Sequence, residues 1–314
     1  MRVLVIGATR ALGPSLVGRL KAAGHDVVIL TRSPDAKPAL EQLGVAVTVA
    51  DNLDSNSLVR ATKAACPDAI VHLLIPWPKN GPRRLSEQAA LIGFWRIGMA
   101  NAVQAAAAAG VSRLVAESSI TAYGYGDLGD RLLIEEDGEM IRYMPLGRWT
   151  VTRDTRWLER QALRGSERAG LKGTVLRFGN FYGPGTRPAE LPGTSWPLVG
   201  GGRGVTSWIH LEDAAVAVQA ALELGGAGEI YNIVDDLPVS YRDFVTEMCR
   251  LAGAPPPREV PYLLGWLRAP VPPFQMARGK LRVSNAKARR ELRWRPSYPT
   301  FREGLRSLDR PPAA

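Results

Sequence analysis

The chain is poor in the residues that hold small secreted or metal-binding proteins together. Its 314 residues include two cysteines, Cys66 and Cys249, and three histidines. The cysteines lie far apart in apolar surroundings and form no C-x-x-C or Cys/His pair, so neither a disulfide framework nor a zinc site is expected. The sequence predicts no bound metal and a reduced, cytoplasmic protein.

Long apolar runs are also missing. No run reaches the ~18 residues that a membrane span requires. The opening MRVLVIG continues directly into a helical pattern, without a charged leader, apolar core and small-residue cleavage site. We therefore expect no membrane segment and no signal peptide, and the hydrophobic content of 46% is enough to fill a sizeable core.

Positively charged residues outnumber negatively charged ones, which gives a formal net charge of +10. Much of it lies in KLRVSNAKARRELRWRP, residues 280 to 296. Its arginines and apolar residues alternate at helical spacing, which is typical of a solvated helix face. No zinc finger, helix-turn-helix or aromatic stacking platform accompanies it, so the sequence predicts no nucleic-acid partner.

Short Val-, Ile- and Leu-rich runs alternate with helical patterns over the first 180 residues. Apolar runs without polar alternation are typical of strands buried on both faces of a parallel sheet. The predicted strands are Arg2 to Ile6, Val27 to Leu30, Val45 to Val49, Ala69 to Leu74, Arg113 to Glu117 and Thr174 to Arg177. Predicted helices include Pro14 to Ala23 and Ile97 to Ala109, the latter closed by Gly110. This alternation predicts an α/β fold with a doubly wound parallel sheet.

The regular alternation of strand and helix patterns ends at about residue 180. The stretch that follows, NFYGPGTRPAELPGTSWPLVGGGRG, is rich in Gly and Pro. Such a stretch predicts loops, at a point where a substrate pocket would be inserted. A helix (212 to 224), a strand (229 to 233) and another helix (240 to 251) follow. We predict a Rossmann domain over 1–180, completed by 205–235, and a smaller substrate-binding lobe formed by 181–204 and 236–314.

The first strand ends in GATRALG, which places Gly7 and Gly13 around a turn that opens a helix. Glycine lets the backbone approach a pyrophosphate, and a helix N-terminus offers free N–H groups to it. In this strand-turn-helix context the pattern predicts a dinucleotide-binding loop. Its predicted cofactor-binding residues are Gly7, Thr9, Arg10, Ala11, Leu12 and Gly13.

The end of the second strand indicates which cofactor is bound. NAD sites place an Asp or Glu there to hold the ribose 2′-hydroxyl. This chain has Arg32, whose guanidinium suits a 2′-phosphate, with Arg10 close enough to help. The sequence therefore predicts NADP(H) rather than NAD(H), although Arg32 can also be read as a loop residue stacking on adenine. Asp51 and Asn52, after the third strand, are predicted to hydrogen-bond the adenine.

These blocks resemble the extended and atypical short-chain dehydrogenases/reductases, the NAD-dependent epimerase/dehydratase group. The resemblance also rests on HLL (72 to 74), NAVQAAAAAGVSRLVAESSITAYG (101 to 124), LRFGNFYGPG (176 to 185), SWIHLEDAA (207 to 215), IYNIVDD (230 to 236) and SNAKARRELRWRPSY (284 to 298). It covers nearly the whole chain and implies that Leu73, Leu74, Thr150 and Phe178 line the cofactor groove. It also implies that Ser119 hydrogen-bonds a substrate oxygen.

The chain departs from the family at the tyrosine and lysine that serve as its acid/base pair. The family segment reads roughly Pro-Tyr-Gly-x-Ser-Lys, and this chain has PLGRWT, so Leu146 stands for the tyrosine and Thr150 for the lysine. Leucine has no proton to donate, and threonine supplies no positive charge to lower a phenol pKa. Ketone reduction by the family's usual route is therefore not expected.

Several groups are candidates for the missing acid. Tyr123 and Tyr125 flank the Ser119 loop, although Tyr123 also matches a packing position of the family. Tyr143 precedes Leu146, the run IEEDGE offers Glu135, Glu136 and Asp137, and Arg148 or Arg153 could polarise an oxyanion. The catalytic candidates are Ser119, Tyr123, Tyr143 and Arg148.

The resemblance implies a small-molecule substrate that is not a nucleotide sugar, because Thr206 and Ser207 replace the family's Arg-Asp pair before the His block. The leading interpretation is an NADP(H)-dependent reductase or epimerase-like enzyme. A non-redox cyclase, lyase or isomerase on the same fold and an NADP(H)-sensing regulatory protein remain alternatives. The resemblance also implies a homodimer through helices at about 88 to 109 and 148 to 168.

Overall fold

The structure is a computed structural model that describes residues 1–9, 11–73, 85–138, 149–186, 197–268 and 271–309. Its strands are β1 (Arg2–Ile6), β2 (Asp26–Thr31), β3 (Ala46–Val49), β4 (Ala69–His72), β5 (Arg113–Ser119), β6 (Lys172–Phe178), β7 (Asn180–Tyr182), β8 (Leu198–Val199), β9 (Val205–Thr206), β10 (Trp208–His210), β11 (Glu229–Ile233), β12 (Val239–Ser240), β13 (Glu259–Val260) and β14 (Lys280–Leu281).

The helices follow the strands in the alternation that the sequence predicts. They are α1 (Leu12–Ala22), α2 (Lys37–Glu41), α3 (Ser55–Ala65), α4 (Leu85–Ala108), α5 (Trp149–Arg160), α6 (Ser166–Arg168), α7 (Leu211–Leu224), α8 (Tyr241–Leu251), α9 (Tyr262–Arg268), α10 (Val271–Arg278), α11 (Ala286–Glu291) and α12 (Phe301–Arg306). Short 3-10 helices span Pro34–Ala36, Ile120–Tyr123, Gly200–Gly202 and Ser307–Asp309, and a π-helix spans Gln161–Gly165.

Seven parallel strands form the main sheet, in the order β11-β6-β5-β4-β1-β2-β3. Because successive side chains of a strand point to opposite faces, β1 contributes to two cores. Val3 and Val5 pack with α1 and α7, whereas Leu4 and Ile6 pack with α3, α4 and α5. The fold is therefore the predicted doubly wound α/β sheet, with helices on both faces.

The smaller sheets lie outside this layer. They pair β10 with β7, β13 with β8, and β12 and β14 with β9. A separate core formed by Tyr182, Trp208, Phe244 and Phe301 covers them. In that core the Trp208 and Phe244 rings are stacked with centroids 3.8 Å apart. The domain boundaries given above stay a prediction.

The end of the described chain returns to the first core. Trp294 packs in the same cluster as Val3 and Leu16, and its Nε1 donates to the Asp213 carbonyl oxygen at 3.0 Å. The Asp213 carboxylate accepts the backbone N–H groups of Ser297 and Tyr298 at 2.7 and 2.9 Å. The first turn of α7 therefore fixes the segment after α11. No helix in the described part of the chain is both long and apolar enough to cross a membrane.

Candidate functional site

The chain order of the sheet reverses between β1 and β4, which are neighbours. In open α/β sheets, ligands bind at the carboxyl ends of the strands beside such a reversal. Most predicted site residues that the structure describes follow or end these strands: Gly7 after β1, Arg32 after β2, Asn52 after β3, Leu73 after β4, Ser119 at the end of β5 and Phe178 at the end of β6. The fold therefore brings them to one edge.

The turn after β1 has the backbone that a phosphate site requires. Gly7 has φ of 95°, a conformation that favours glycine. A Cβ on Gly13 would lie 1.7 Å from the Ala8 carbonyl oxygen, so only glycine lets α1 approach the turn. No side chain caps α1, and its first turn has no acidic residue. Thr9 and Ala11 are exposed there, Leu12 is buried, and Arg10 lies outside the described residues.

The free first turn of α1 and the close backbone turn fit a dinucleotide pyrophosphate. Arg32 follows β2 and is exposed, with no hydrogen-bonded or charged partner among the described residues. The preceding Thr31 side chain is buried, and its Oγ1 accepts the Ser33 backbone N–H at 3.2 Å. Arg32 is thus free to meet a ligand beside the loop.

The two residues after β3 differ in placement. Asp51 is exposed, and its Oδ1 accepts the Leu53 backbone N–H at 2.9 Å. Asn52 is buried, its Nδ2 lies 3.4 Å from His72 Nε2, and its backbone oxygen accepts the Asn101 amide at 2.9 Å. An adenine contact through the Asn52 side chain would require that side chain to turn outward, so this role stays a prediction.

The end of β4 is apolar and uncharged. The Leu73 backbone N–H donates to the Ile6 oxygen at 2.8 Å, and its side chain is buried. Burial lowers the pKa of His72 to about 4, so its imidazole is neutral at pH 7. Leu74 lies outside the described residues.

Ser119 ends β5 opposite Phe178 in the β5–β6 register. Ser119 Oγ accepts the Thr121 backbone N–H at 3.2 Å, and the side chain is half-buried. Because this bond uses a lone pair, the hydroxyl proton remains available for a ligand. Ser119 is therefore placed as a donor at the edge of the sheet, and Phe178 is buried beside it.

The hydroxyl of Tyr123 is not placed to donate a proton to a ligand, because it is buried and already hydrogen-bonded within the protein. It is fully buried, donates its hydroxyl to Asn232 Oδ1 at 2.9 Å, and lies under the Arg177 guanidinium at 4.7 Å from the ring centroid. Burial raises its pKa to about 12. These contacts favour the packing interpretation of Tyr123 over the catalytic one.

The other candidates for the missing acid fall largely outside the described residues. Tyr143, Leu146 and Arg148 lie there, and Thr150 is described only as part of the backbone of α5. Glu135 accepts the Asn232 backbone N–H at 2.8 Å, and burial raises its pKa. Asp137 is bound by Arg131, whose hydrogen bonds lower its pKa. Neither carboxylate lacks a partner.

A buried polar network behind Ser119 was not predicted from the sequence. Arg177 on β6 and Glu159 on α5 form a bidentate ion pair at 2.7 and 2.8 Å, with side chains 1% and 4% exposed. Ser118 donates to the same carboxylate at 2.7 Å. Burial lowers the pKa of Arg177, but its bonds to Glu159 raise it above the ordinary value. The network fixes β5, β6 and α5 to one another.

The structure describes both residues on which the prediction of a substrate other than a nucleotide sugar rests, and that prediction stays a prediction. Thr206 and Ser207 are buried and turned inward. Thr206 Oγ1 accepts from Asn180 Nδ2 at 3.1 Å, and Ser207 Oγ accepts the Val283 backbone N–H at 3.0 Å. Neither side chain presents charge to a ligand. Among the described residues, no group of three or more His, Cys, Asp or Glu side chains forms a metal site.

The model of the NAD dependent epimerase/dehydratase family matches residues 3–234. The chain belongs to this family. The fold agrees, because the UDP-glucose 4-epimerase of Thermus thermophilus in complex with NAD superposes with a TM-score of 0.80, covering 98% of each chain at 23% identity.

Two related enzymes are similar in sequence along most of this family member. A 3-diazoavenalumate denitrifying reductase from a Streptomyces species is 38% identical over 320 residues, covering 97% of this chain and 99% of that protein. A 4-hydroxy-2-methyl-3-oxo-4-farnesyl-3,4-dihydroquinoline-1-oxide ketoreductase of Stigmatella aurantiaca is 25% identical over 81% of this chain and 74% of that protein. This epimerase/dehydratase-family protein is therefore an enzyme of the oxidoreductase or epimerase type.

Proposed function

We propose that the protein is an NADP(H)-dependent reductase that removes the diazo group of a small aromatic carboxylate as dinitrogen. The observation that carries the proposal is the similarity to the denitrifying reductase, which extends over nearly all of both chains. An alkyl diazonium ion loses dinitrogen unaided, so the substrate class that needs an enzyme is an aryl diazonium carboxylate.

The chemistry suits a site without the family's acid. Bound NADPH supplies a hydride. One hydride added to Ar–N₂⁺ gives Ar–H and N₂, and no oxygen of the substrate gains a proton. A ketone, by contrast, becomes an alcohol only when its oxygen is protonated. Leu146 and Thr150 in the segment PLGRWT are consistent with such a reaction, in which a tyrosine acid has no task.

Charge favours the same substrate. A lysine at position 150 would place an ammonium beside a cationic diazonium group, and like charges at short range repel. Threonine places no charge there. Ser119 keeps its hydroxyl proton available at the sheet edge, where it can orient an oxygen of the substrate. The side chains of Leu73 and Phe178 are buried at the same edge of the sheet, so the surroundings of Ser119 are partly apolar.

The cofactor preference is proposed on Arg32. Its exposed guanidinium lies where an NAD site would carry an acidic residue, beside the turn of Gly7 and Gly13. A guanidinium binds a phosphate through two parallel hydrogen bonds, so the 2′-phosphate of NADP(H) is the expected ligand.

A deuterium-transfer experiment tests the function. The protein is given an aryl diazonium carboxylate and NADPH labelled at the transferring C4 position, and the arene product and the N₂ released are analysed by mass spectrometry. We expect one deuterium at the carbon that carried nitrogen and one N₂ for each NADPH consumed. Reduction of a ketone such as a 3-oxo-quinoline, with the diazonium left untouched, would contradict the proposal.

A further inference from the structure

The hydroxyl of Ser119 is placed by two segments of backbone. Ser119 is the last residue of β5, and it is also the residue at which the 3-10 turn Ile120–Tyr123 begins. Its Oγ accepts the Thr121 backbone N–H at 3.2 Å, which ties the side chain to the start of that turn. The direction of the hydroxyl therefore depends on the end of β5 and on the position of the turn.

One buried side chain, that of Arg177 on β6, acts on the end of β5. Arg177 lies opposite Ser118 in the β5–β6 register. Its guanidinium donates to both carboxylate oxygens of Glu159 on α5, at 2.7 and 2.8 Å. Ser118 donates to the first of these oxygens at 2.7 Å. Because Ser118 is the chain neighbour of Ser119, these bonds fix the end of β5 to α5.

The same guanidinium also reaches the far end of the turn. Its central carbon lies 4.7 Å from the centroid of the Tyr123 ring, and the Tyr123 hydroxyl donates to Asn232 on β11 at 2.9 Å. Nη1 of Arg177 donates to the Glu135 carbonyl oxygen at 3.4 Å. One cation therefore joins α5, the last residue of the turn and the loop of Glu135.

Stability alone does not explain this arrangement. The Arg177 and Glu159 side chains are 1% and 4% exposed, so both charges are withdrawn from water at a high cost. Apolar side chains of similar volume often stabilise a fold as well as a buried ion pair does. A bidentate arginine–carboxylate pair adds a fixed distance and orientation, because its two hydrogen bonds run parallel in one plane.

We propose that Arg177 is a positioning residue for the Ser119 hydroxyl. It acts on the end of β5 through Glu159 and Ser118, and on the turn through Tyr123. This inference rests on the function proposed above, in which the Ser119 hydroxyl orients an oxygen of the substrate. Arg177 is 1% exposed and acts through these residues rather than by contact with the substrate.

Amide hydrogen exchange tests the positioning without any turnover. The Thr121 amide is followed by NMR in native protein and in Arg177→Lys, which keeps the charge but loses the two parallel hydrogen bonds to Glu159. We expect the exchange rate of Thr121 in Arg177→Lys to rise about 10-fold more than that of Val115, in the middle of β5. A loss of overall stability alone would accelerate Val115 at least as much. Ser119→Ala, which removes the acceptor, gives the upper limit for Thr121.

Two further variants keep this comparison decisive. Ser118→Ala removes one hydrogen bond to the carboxylate and leaves the ion pair, so it replaces Arg177→Lys if that variant does not fold. Thr174→Val is the matched control at the opposite end of β6, because it removes the bond from Thr174 Oγ1 to the Gly226 carbonyl oxygen at 2.9 Å. It should lower stability without a selective change at Thr121.

Turnover supplies the second readout. Reduction of 4-carboxybenzenediazonium by NADPH is measured for Arg177→Lys, alone and combined with Ser119→Ala. We expect Arg177→Lys to lower kcat about 10-fold when Ser119 is present and less than about 2-fold when it is absent, with the KM for NADPH unchanged. A residue that only supports the fold would lower kcat equally in both backgrounds.

The two readouts separate the inference from the function. If the exchange rate of Thr121 rises no more than that of Val115 in both Arg177→Lys and Ser118→Ala, the inference is overturned, whatever the turnover. Native kcat in Arg177→Lys, when Ser119→Ala lowers it, would also overturn it. Selective exchange at Thr121, with a native protein that does not reduce the diazonium, would support the positioning and contradict the function proposed above.

Discussion

At the scale of single residues, the proposed cofactor preference depends on Arg32. The described residues of the loop around Gly7 and Gly13 would meet the pyrophosphate of either dinucleotide through backbone N–H groups, which do not distinguish the two. Only the 2′ substituent distinguishes NADP(H) from NAD(H), and the exposed guanidinium after β2 is the described charge beside that loop.

We expect Arg32→Ala to weaken NADPH binding by about 10- to 100-fold, since a charge-assisted hydrogen bond is worth about 1.5–3 kcal/mol. NADH binding should change little. Isothermal titration calorimetry of both cofactors measures the difference, with exposed Arg60→Ala on α3 as the control. Equal losses for NADPH and NADH would show that Arg32 stacks on adenine instead.

At the scale of elements, α5 supports the turn that follows Ser119. Arg156 on α5 donates to the Ala122 carbonyl oxygen at 2.7 Å and to the Asp137 carbonyl oxygen at 3.1 Å. It therefore joins the helix to the 3-10 turn Ile120–Tyr123 and to the acidic loop. Ser119 begins that turn, so we expect Arg156 to help position its hydroxyl.

Arg156→Ala should lower kcat by about 10-fold, because a misplaced donor orients the substrate poorly. It should also lower the free energy of unfolding by about 2 kcal/mol. Steady-state kinetics and urea denaturation measure the two effects, with exposed Arg160→Ala on the same helix as the control. Arg156→Lys restores a charge and one donor. If Arg156→Ala and Arg156→Lys both keep the native kcat, and Arg156→Lys recovers only the free energy of unfolding, Arg156 has no positioning role.

The elements themselves were largely predictable from the sequence. The apolar runs located β1 at its observed bounds and the other main strands to within two residues. Burial on both faces makes β1 and β4 almost uniformly apolar, whereas β3, at the edge of the sheet, was found from its valines although none of its residues is buried. The helix predicted from Ile97 begins at Leu85, since its first turns lack the regular spacing of apolar residues on which the prediction depended. The π-helix Gln161–Gly165 was missed because no local pattern marks it.

The site was less predictable because its polar contacts join distant parts of the chain. Tyr123 suggested an acid from its position four residues after Ser119, but its partner Asn232 is 109 residues away. Arg177 and Glu159 are 18 residues apart and meet only when β6 packs against α5. A sequence pattern identifies the residues at the ends of strands but not the direction in which their side chains turn, as the inward Asn52 shows.

At the scale of the whole molecule, the predicted homodimer would join α4 and α5 of two copies. On α4, Ile97 is 49% exposed, and Arg96 beside it pairs with Asp154 at 2.7 Å and lies over the Trp157 ring of α5. An exposed β-branched residue flanked by ordered polar contacts is suited to the centre of an interface.

Ile97→Asp should raise the dimer dissociation constant by about 30-fold or more, because a buried charge at an interface centre costs about 2 kcal/mol or more. Analytical ultracentrifugation measures this. Leu263→Asp, at a residue of α9 that is 67% exposed, serves as the control and should leave the dimer intact. If the native protein is monomeric, or if Ile97→Asp leaves the dimer dissociation constant unchanged, α4 does not form the interface.

The two buried histidines predict how the fold responds to acid. Burial lowers the pKa of His72 and of His210 from 6.5 to about 4. Between those values the unfolded chain binds more protons than the folded one, so the free energy of unfolding decreases as the pH falls from about 6.5 to 4. Buried carboxyls with raised pKa, such as Asp235, act in the opposite direction.

The contribution of one histidine is isolated by substitution. Near pH 5, His72→Gln should reduce the slope of unfolding free energy against pH by about 1.4 kcal/mol per pH unit. Urea denaturation at pH 7, 6 and 5 gives the slopes. The neighbouring Val71→Ala should destabilise the protein equally at each pH. A slope for His72→Gln that matches the native one would exclude His72 as the source.

The return of Trp294 to the cluster of Val3 and Leu16 has a consequence for how the protein is made. A ribosome releases Val3 and Leu16 long before it adds Trp294 and the two residues whose N–H groups Asp213 accepts. Until then, the cluster that contains Val3 and Leu16 lacks one of its largest side chains. We therefore expect a chain that stops before residue 294 to aggregate more than one that includes Trp294, as measured by light scattering after synthesis in a cell-free system.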